Sequence, residues 1–253
     1  MKKTILKYST SLLLLGSLNL NAGQIGQLSL FEVSPDSYGK QVFSIGFDTY
    51  ATKNENNFEN KNSLNEDQDY FDNLNIVLSN KATLKKFGYE KGEIYWRGTG
   101  NFGFDFNNDA VIAGAEIGFG MLNNFNYFYT GLDISGEYQS FNYTSDNADD
   151  TTETDTASQT GLTGSFTIGK RITNKLDIGL LAGYEIGKID IGNYNDNYSK
   201  TIFSGMFSYK QYREITVNVK GTYSELKSDN VTDYYFDIKE FRAMVSFSWR
   251  YNL

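Results

Sequence analysis

From Phe241 to the end of the chain, apolar and polar residues alternate almost without a slip. Phe241, Ala243, Val245, Phe247, Trp249, Tyr251 and Leu253 hold the odd positions. Arg242, Ser246, Ser248, Arg250 and Asn252 hold all but one of the even ones, Met244 being the exception. Side chains alternate faces along a strand, so this run predicts one β-strand with an apolar and a polar face. It would cover roughly 43 Å at about 3.3 Å per residue, whereas strands of soluble proteins usually run about 5–6 residues. Tilted by about 45°, a strand of this length crosses an apolar band of roughly 25 Å.

The same period of two recurs upstream. It predicts strands over 41–51, 73–81, 93–106, 111–122, 127–143, 161–171, 176–189, 201–210 and 214–223. With the closing strand the count is ten, an even number. The connections between them alternate long and short counting back from the end: 224–234, 211–213, 191–200, 172–174, 144–160 and 123–126. Two connections break the rhythm. The one at 107–110 is short where a long one is due, and the one at 82–92 is long where a short one is due. Eight or twelve strands therefore remain compatible with the spacing. The segment 144–160 carries Asp146, Asp149, Asp150, Glu153 and Asp155 with no base and reads as a solvated loop.

Composition agrees with a chain that is sheet almost throughout. Pro35 is the only proline, and proline cannot donate to a strand ladder. Phe and Tyr number 19 each. Several aromatics sit at strand ends, where a membrane protein places its interfacial girdles. A secreted β-sandwich would also alternate, but its strands are shorter and it requires no such aromatic placement. The first 22 residues predict an export signal: Lys2, Lys3 and Lys7, a short apolar run centred on 12–15, and Ala22 before the expected cleavage. Residues 23–39 then read as a periplasmic lead-in, and 40–253 as the folded domain. The net charge is −8 for the whole chain and becomes −11 without those three lysines. Such a balance disfavours nucleic acid.

A long closing strand with aromatics near its end resembles the last strand of bacterial outer-membrane β-barrel proteins, of the porin-like or small OmpX- and OmpA-barrel type. The resemblance implies an all-β fold, a closed antiparallel up-and-down transmembrane β-barrel of about ten strands. It also implies that Phe241, Val245, Phe247, Trp249, Tyr251 and Leu253 form the signal read by the barrel-assembly machinery. Leu253 departs from the Phe or Trp usual there. The implied setting is the outer membrane, with lipid and lipopolysaccharide around a monomeric barrel and acidic loops facing outward.

In such a barrel the polar faces line the lumen. They carry Arg97, Glu116, Asp133, Glu137, Arg171, Glu185, Lys220, Glu240, Arg242 and Arg250, together with Asp48, Asp177 and Lys81. Acids and bases in near balance predict interlocked ion pairs. A barrel of about eight strands is filled by its own side chains, and aqueous channels belong to barrels of about sixteen. A narrow or plugged lumen is therefore expected. The chain contains neither histidine nor cysteine. The barrel enzymes of this resemblance (omptin proteases, phospholipase, lipid A acyltransferases and deacylases) all use a histidine, so no catalytic residue is assigned. With no imidazole or thiolate, no transition-metal site or cofactor is expected either. Two functions follow: a porin-like protein with a narrow or plugged lumen, or a barrel serving surface adhesion or envelope integrity through its external loops.

Overall fold

The computed structural model describes residues 37–56, 67–69, 73–88, 92–106, 110–125, 128–146, 152–191, 194–212, 214–228 and 236–251. Their strands are β1 (Gln41–Asn56), β2 (Asp67–Asp69), β3 (Asn73–Phe87), β4 (Gly92–Asp105), β5 (Ala110–Asn124) and β6 (Phe128–Asp146), then β7 (Thr152–Thr173), β8 (Leu176–Ile191), β9 (Tyr194–Lys210), β10 (Ile215–Ser228) and β11 (Phe236–Tyr251). Sequence neighbours pair antiparallel, and β11 pairs back onto β1 over Gln41–Asn56, which closes the sheet. The short β2 is not an eleventh stave. It pairs with β1 at Thr52–Asn54, along the edge that β3 occupies at Val42–Asp48. Between them the Asn73 amide takes over the ladder: Tyr50 N donates to its Oδ1 at 3.0 Å, and its Nδ2 donates to Tyr50 O at 2.9 Å. The fold is thus a closed, all-antiparallel, up-and-down barrel of ten strands.

The pairing also fixes the tilt. Followed once around from Val42 through Lys81, Arg97, Gly118, Ser135, Thr163, Glu185, Lys200, Leu226 and Ile238, it returns to β1 at Asn54, well up the strand from Val42. That shear of about twelve residues corresponds to a strand tilt of about 40°.

The barrel is inverted relative to a soluble protein. Among the described residues more than thirty large apolar or aromatic side chains are exposed, while the buried set is dominated by charged, amide and hydroxyl groups. A water-soluble monomer rarely exposes a contiguous apolar patch beyond a few hundred Å². On β8 the outward run is Ile178, Leu180, Ala182, Tyr184 and Ile186, and Lys188 ends it. At the tilt above, this run spans roughly 20–25 Å, the height of the apolar band on barrels that sit in a membrane. Phe241, Val245, Phe247 and Tyr251 point outward, Trp249 is half-buried beside Phe43 at a ring separation of 6.2 Å, and Leu253 lies outside the described residues. Among the described residues no helix is long and apolar enough to cross a membrane.

The segments expected to be long polar loops are largely strand. β6 runs to Asp146 and β7 starts at Thr152, with those two residues paired, so only 147–151 of the acidic segment lie outside the described residues. β9 begins at Tyr194, β10 continues to Ser228, β1 continues to Asn56, and 82–87 belong to β3. Asn123 and Asn124 end β5, paired with Thr130 and Tyr129, and do not turn the chain; beyond them Phe125 N still donates to Phe128 O at 2.8 Å. The predicted long–short rhythm of connections is thereby reduced to a difference in how far the strands run on. Beyond the apolar band a strand needs no apolar face, because its backbone ladder supplies the pairing. Alternation, the signal from which the boundaries were predicted, fades there. The predicted leader (1–22) and most of the lead-in (23–36) lie outside the described residues.

Candidate functional site: the barrel interior

All ten residues expected to line the lumen lie on the inner face, and so do Asp48, Asp177 and Lys81. They do not form one site. The interior is layered, and its layers can be named from the end where β1 begins and β11 finishes (the terminal end) to the opposite, far end.

At the terminal end the chain before the barrel folds into the mouth. Ser37–Lys40 make one tight turn, with Lys40 N donating to Ser37 O at 3.1 Å. Lys81 and Glu93, both fully buried, form an ion pair beneath it. Lys81 Nζ also donates to Ser37 O at 3.2 Å, while Glu93 Oε2 accepts from Gly39 N and from Thr83 Oγ1, each at 2.7 Å. Tyr38 OH donates to Gly92 O at 3.0 Å. Glu93 lies on the Arg97 face of β4, four residues before it, so parity alone would have added it to the expected lining. On the neighbouring wall Arg171 Nε bonds Asp177 Oδ1 at 3.0 Å. Arg250 meets Thr216, and Asn218 Nδ2 donates to Ser246 Oγ at 3.2 Å and to Ser248 Oγ at 2.9 Å.

Above this lies a packed apolar and aromatic layer of Val77, Tyr95, Leu122, Tyr129, Leu181, Ile202, Met206 and Met244. The tyrosines fit because a glycine faces them in register. Tyr95 pairs with Gly120 and Tyr129 with Gly169, and a Cβ on those glycines would lie 2.3 and 2.0 Å from the tyrosine ring carbons.

The middle is charged. Arg97 reaches Glu116 at 2.5 Å and Asp133 at 2.6 Å, and its Nε lies 3.0 and 3.1 Å from the two Asp133 oxygens. Tyr95 OH donates to Asp133 Oδ2 at 3.1 Å. Arg242 joins Asp48 at 2.7 Å and Glu240 at 3.2 Å, with its guanidinium 5.2 Å from the Tyr50 ring centre. Lys220 is buried within this layer. Glu137 is buried in the same layer, near Glu185. Glu185 in turn accepts from Tyr198 OH, from Gln159 Nε2 at 3.2 Å and from Thr163 Oγ1 at 3.3 Å. At the far end Ile112, Ala157, Ile189, Leu226 and Ile238 are buried on the inner face. Lys200, Asp196 and Tyr198 also point inward there, and all three fall in a stretch whose sequence pattern predicted a loop. Among the described residues most inward side chains are buried, from Ser37 at the terminal end to Ile112 and Ile189 at the far end.

No protein-family model matches the chain, and no curated protein matches it in sequence. Solved structures do. The translocator domain of the autotransporter NalP from Neisseria meningitidis is similar at 8% identity and a TM-score of 0.51, covering 89% of this chain and 95% of that one. The outer-membrane protease OmpT from Escherichia coli is similar at 10% identity and a TM-score of 0.43, over 85% of this chain and 98% of that one. The Pseudomonas putida toluene transporter TodX is similar at 8% identity and a TM-score of 0.38, over 90% and 94%. At such identities the likeness concerns fold alone. The fold is that of the bacterial outer-membrane β-barrels.

Proposed function

We propose that this protein is a non-enzymatic, porin-like integral protein of the bacterial outer membrane, exported by its leader and monomeric. Its lumen is plugged by its own side chains, and it acts through its far-end rim. The observation that carries this reading is the interior itself, filled from the Ser37–Lys40 turn at one mouth to the buried isoleucines at the other. The lack of histidine and cysteine supports the non-enzymatic part, since the usual general base and thiol nucleophile have no candidate. Lipid and lipopolysaccharide would surround the wall, and the closing strand would engage the assembly machinery. In planar bilayers the purified protein is expected to show no conductance above background; steady single-channel steps would overturn the plugged lumen.

The rim reading rests on β6 and β7, the two longest strands, which carry the acidic hairpin farthest from the termini. Tyr143 and Asp155 are paired across it. Replacing 144–154 by an Asn-Gly turn is therefore expected to leave the barrel folded, seen as an unchanged heat-dependent gel shift. Adhesion to host or neighbouring-cell surfaces, or envelope integrity, should fall. Unchanged adhesion and detergent sensitivity would remove the hairpin from the function.

A second reading, a narrow polar passage, is favoured by one group of atoms. Asp48 Oδ1, Asn75 Oδ1, Thr99 Oγ1, Glu116 Oε2 and Glu137 Oε1 are buried without a hydrogen-bonding partner in the protein. The register sets them side by side, Asp48 against Asn75, and Thr99 against Glu116 against Glu137. Buried polar groups of this kind are normally satisfied by internal water. The bilayer experiment separates the two readings.

A further inference from the structure

On the outer wall near the terminal end, a groove of about 410 Å³ runs over β6–β9, lined by Phe128, Ile168, Ile178, Leu180, Gly205 and Phe207. Lys170 stands at its mouth, paired in register with Phe128 on one side and Ile178 on the other. Lys175 occupies the adjoining β7–β8 turn, and its carbonyl accepts a bond from Lys210 N at 2.7 Å, which ties the turn to the end of β9. Lys170 and Lys175 are exposed. Of the nearby acids, Asp177 faces inward onto Arg171, and Glu214 belongs to the next turn. Away from the lysines the groove passes Leu180 and Gly205 into a second depression of about 690 Å³, partly floored by Ala182, Gly205 and Gly221. The floor is open because the residues there are small: nothing lies within 4 Å of where a Cβ on Gly205 would sit.

We infer that this groove is a binding site for an anionic phospholipid of the leaflet at the terminal end. An acyl chain lies along Ile178, Leu180 and Gly205, and the phosphate meets Lys170 and Lys175. The inference rests on the membrane reading above and extends it from a generic lipid contact to a selective one. Two features commit the occupant. The groove is continuous with the apolar band, so an acyl chain fills it. The basic groups lie only at the end where the band stops and headgroups begin, so the head is an anion. A lysine near a membrane surface favours an anionic lipid about fivefold, so two predict a preference of about thirtyfold.

The test is native mass spectrometry of the full chain in detergent, mixed with equal amounts of phosphatidylglycerol and phosphatidylcholine. Retention of phosphatidylglycerol is expected to exceed that of phosphatidylcholine about thirtyfold. Lys170→Gln with Lys175→Gln should abolish the preference, and Gly205→Leu should reduce retention of both lipids while the heat-dependent gel shift persists. Lys85→Gln, at the exposed end of β3, should leave the preference intact. Equal retention by the wild type, an unchanged preference in the double variant, or equal loss in Lys85→Gln would each overturn the site. The membrane reading fails separately, if the chain does not enter phosphatidylcholine vesicles at all.

Discussion

Arg97→Ala is expected to destabilise the barrel by about 3–5 kcal/mol, the loss typical when one member of a buried ion cluster is removed. The size follows from what is left behind. Arg97 is the shared partner of Glu116 and Asp133, whose side chains are 1% and 2% exposed, so neither carboxylate can turn to solvent. Arg97→Lys should recover only part of the loss. An ammonium cannot reproduce the two-pronged contact in which both Nε and Nη2 meet Asp133. Adding Glu116→Gln and Asp133→Asn to Arg97→Ala should restore stability in part, because the uncompensated charges go with the arginine. Urea unfolding in detergent or vesicles measures all three, with the gel shift as the folding readout. If Arg97→Ala unfolds at the wild-type midpoint, the middle layer is hydrated and the lumen is not closed at that level. Gly118 tests the same packing from the opposite strand, since its Cβ would sit 3.0 Å from Arg97 Cζ, Arg97 Nε and Ser135 Cβ.

The inner and outer faces were legible in the sequence because one physical rule, the period of two, governs both. Parity counted from Arg97 or from Arg242 is enough to put Glu116, Asp133 and Glu240 inside, given a closed sheet. What parity could not supply was which charges meet. Arg97 and Asp133 lie on β4 and β6, with β5 between them, and only the shear brings their side chains to one level. The far-end extensions were missed for a different reason. The stretch 194–200 has Asp196, Tyr198 and Lys200 inside, and none of these looks like a core residue in a sequence. Their burial is a consequence of barrel closure, which surrounds them with nine other strands. The turn at Ser37–Lys40 was equally opaque, since its anchor, the Lys81–Glu93 pair, is non-local by more than forty residues.

Ile134→Arg separates a barrel in lipid from a barrel in water more sharply than any change inside the lumen. Ile134 is 63% exposed, faces outward from β6, and pairs with Phe119 and Gly164 on the adjoining strands, near the middle of the apolar band. On the surface of a water-soluble protein such a replacement is usually worth within about 0.5 kcal/mol either way. At the midplane of a membrane it costs about 2–4 kcal/mol, because the guanidinium must shed its hydration or drag headgroups and water toward it. The neighbouring Gly164 offers no Cβ to clash with, so steric overpacking does not confound the outcome. Lys188→Arg, at the top of the outward run on β8, is the matched control and should be neutral, since arginine there stays at the headgroup level. Folding into vesicles of phosphatidylcholine at increasing urea should therefore show a large loss for Ile134→Arg beside an unchanged Lys188→Arg. A neutral Ile134→Arg would mean that this face meets water, and the apolar exposure around the barrel would then require a protein partner in place of lipid.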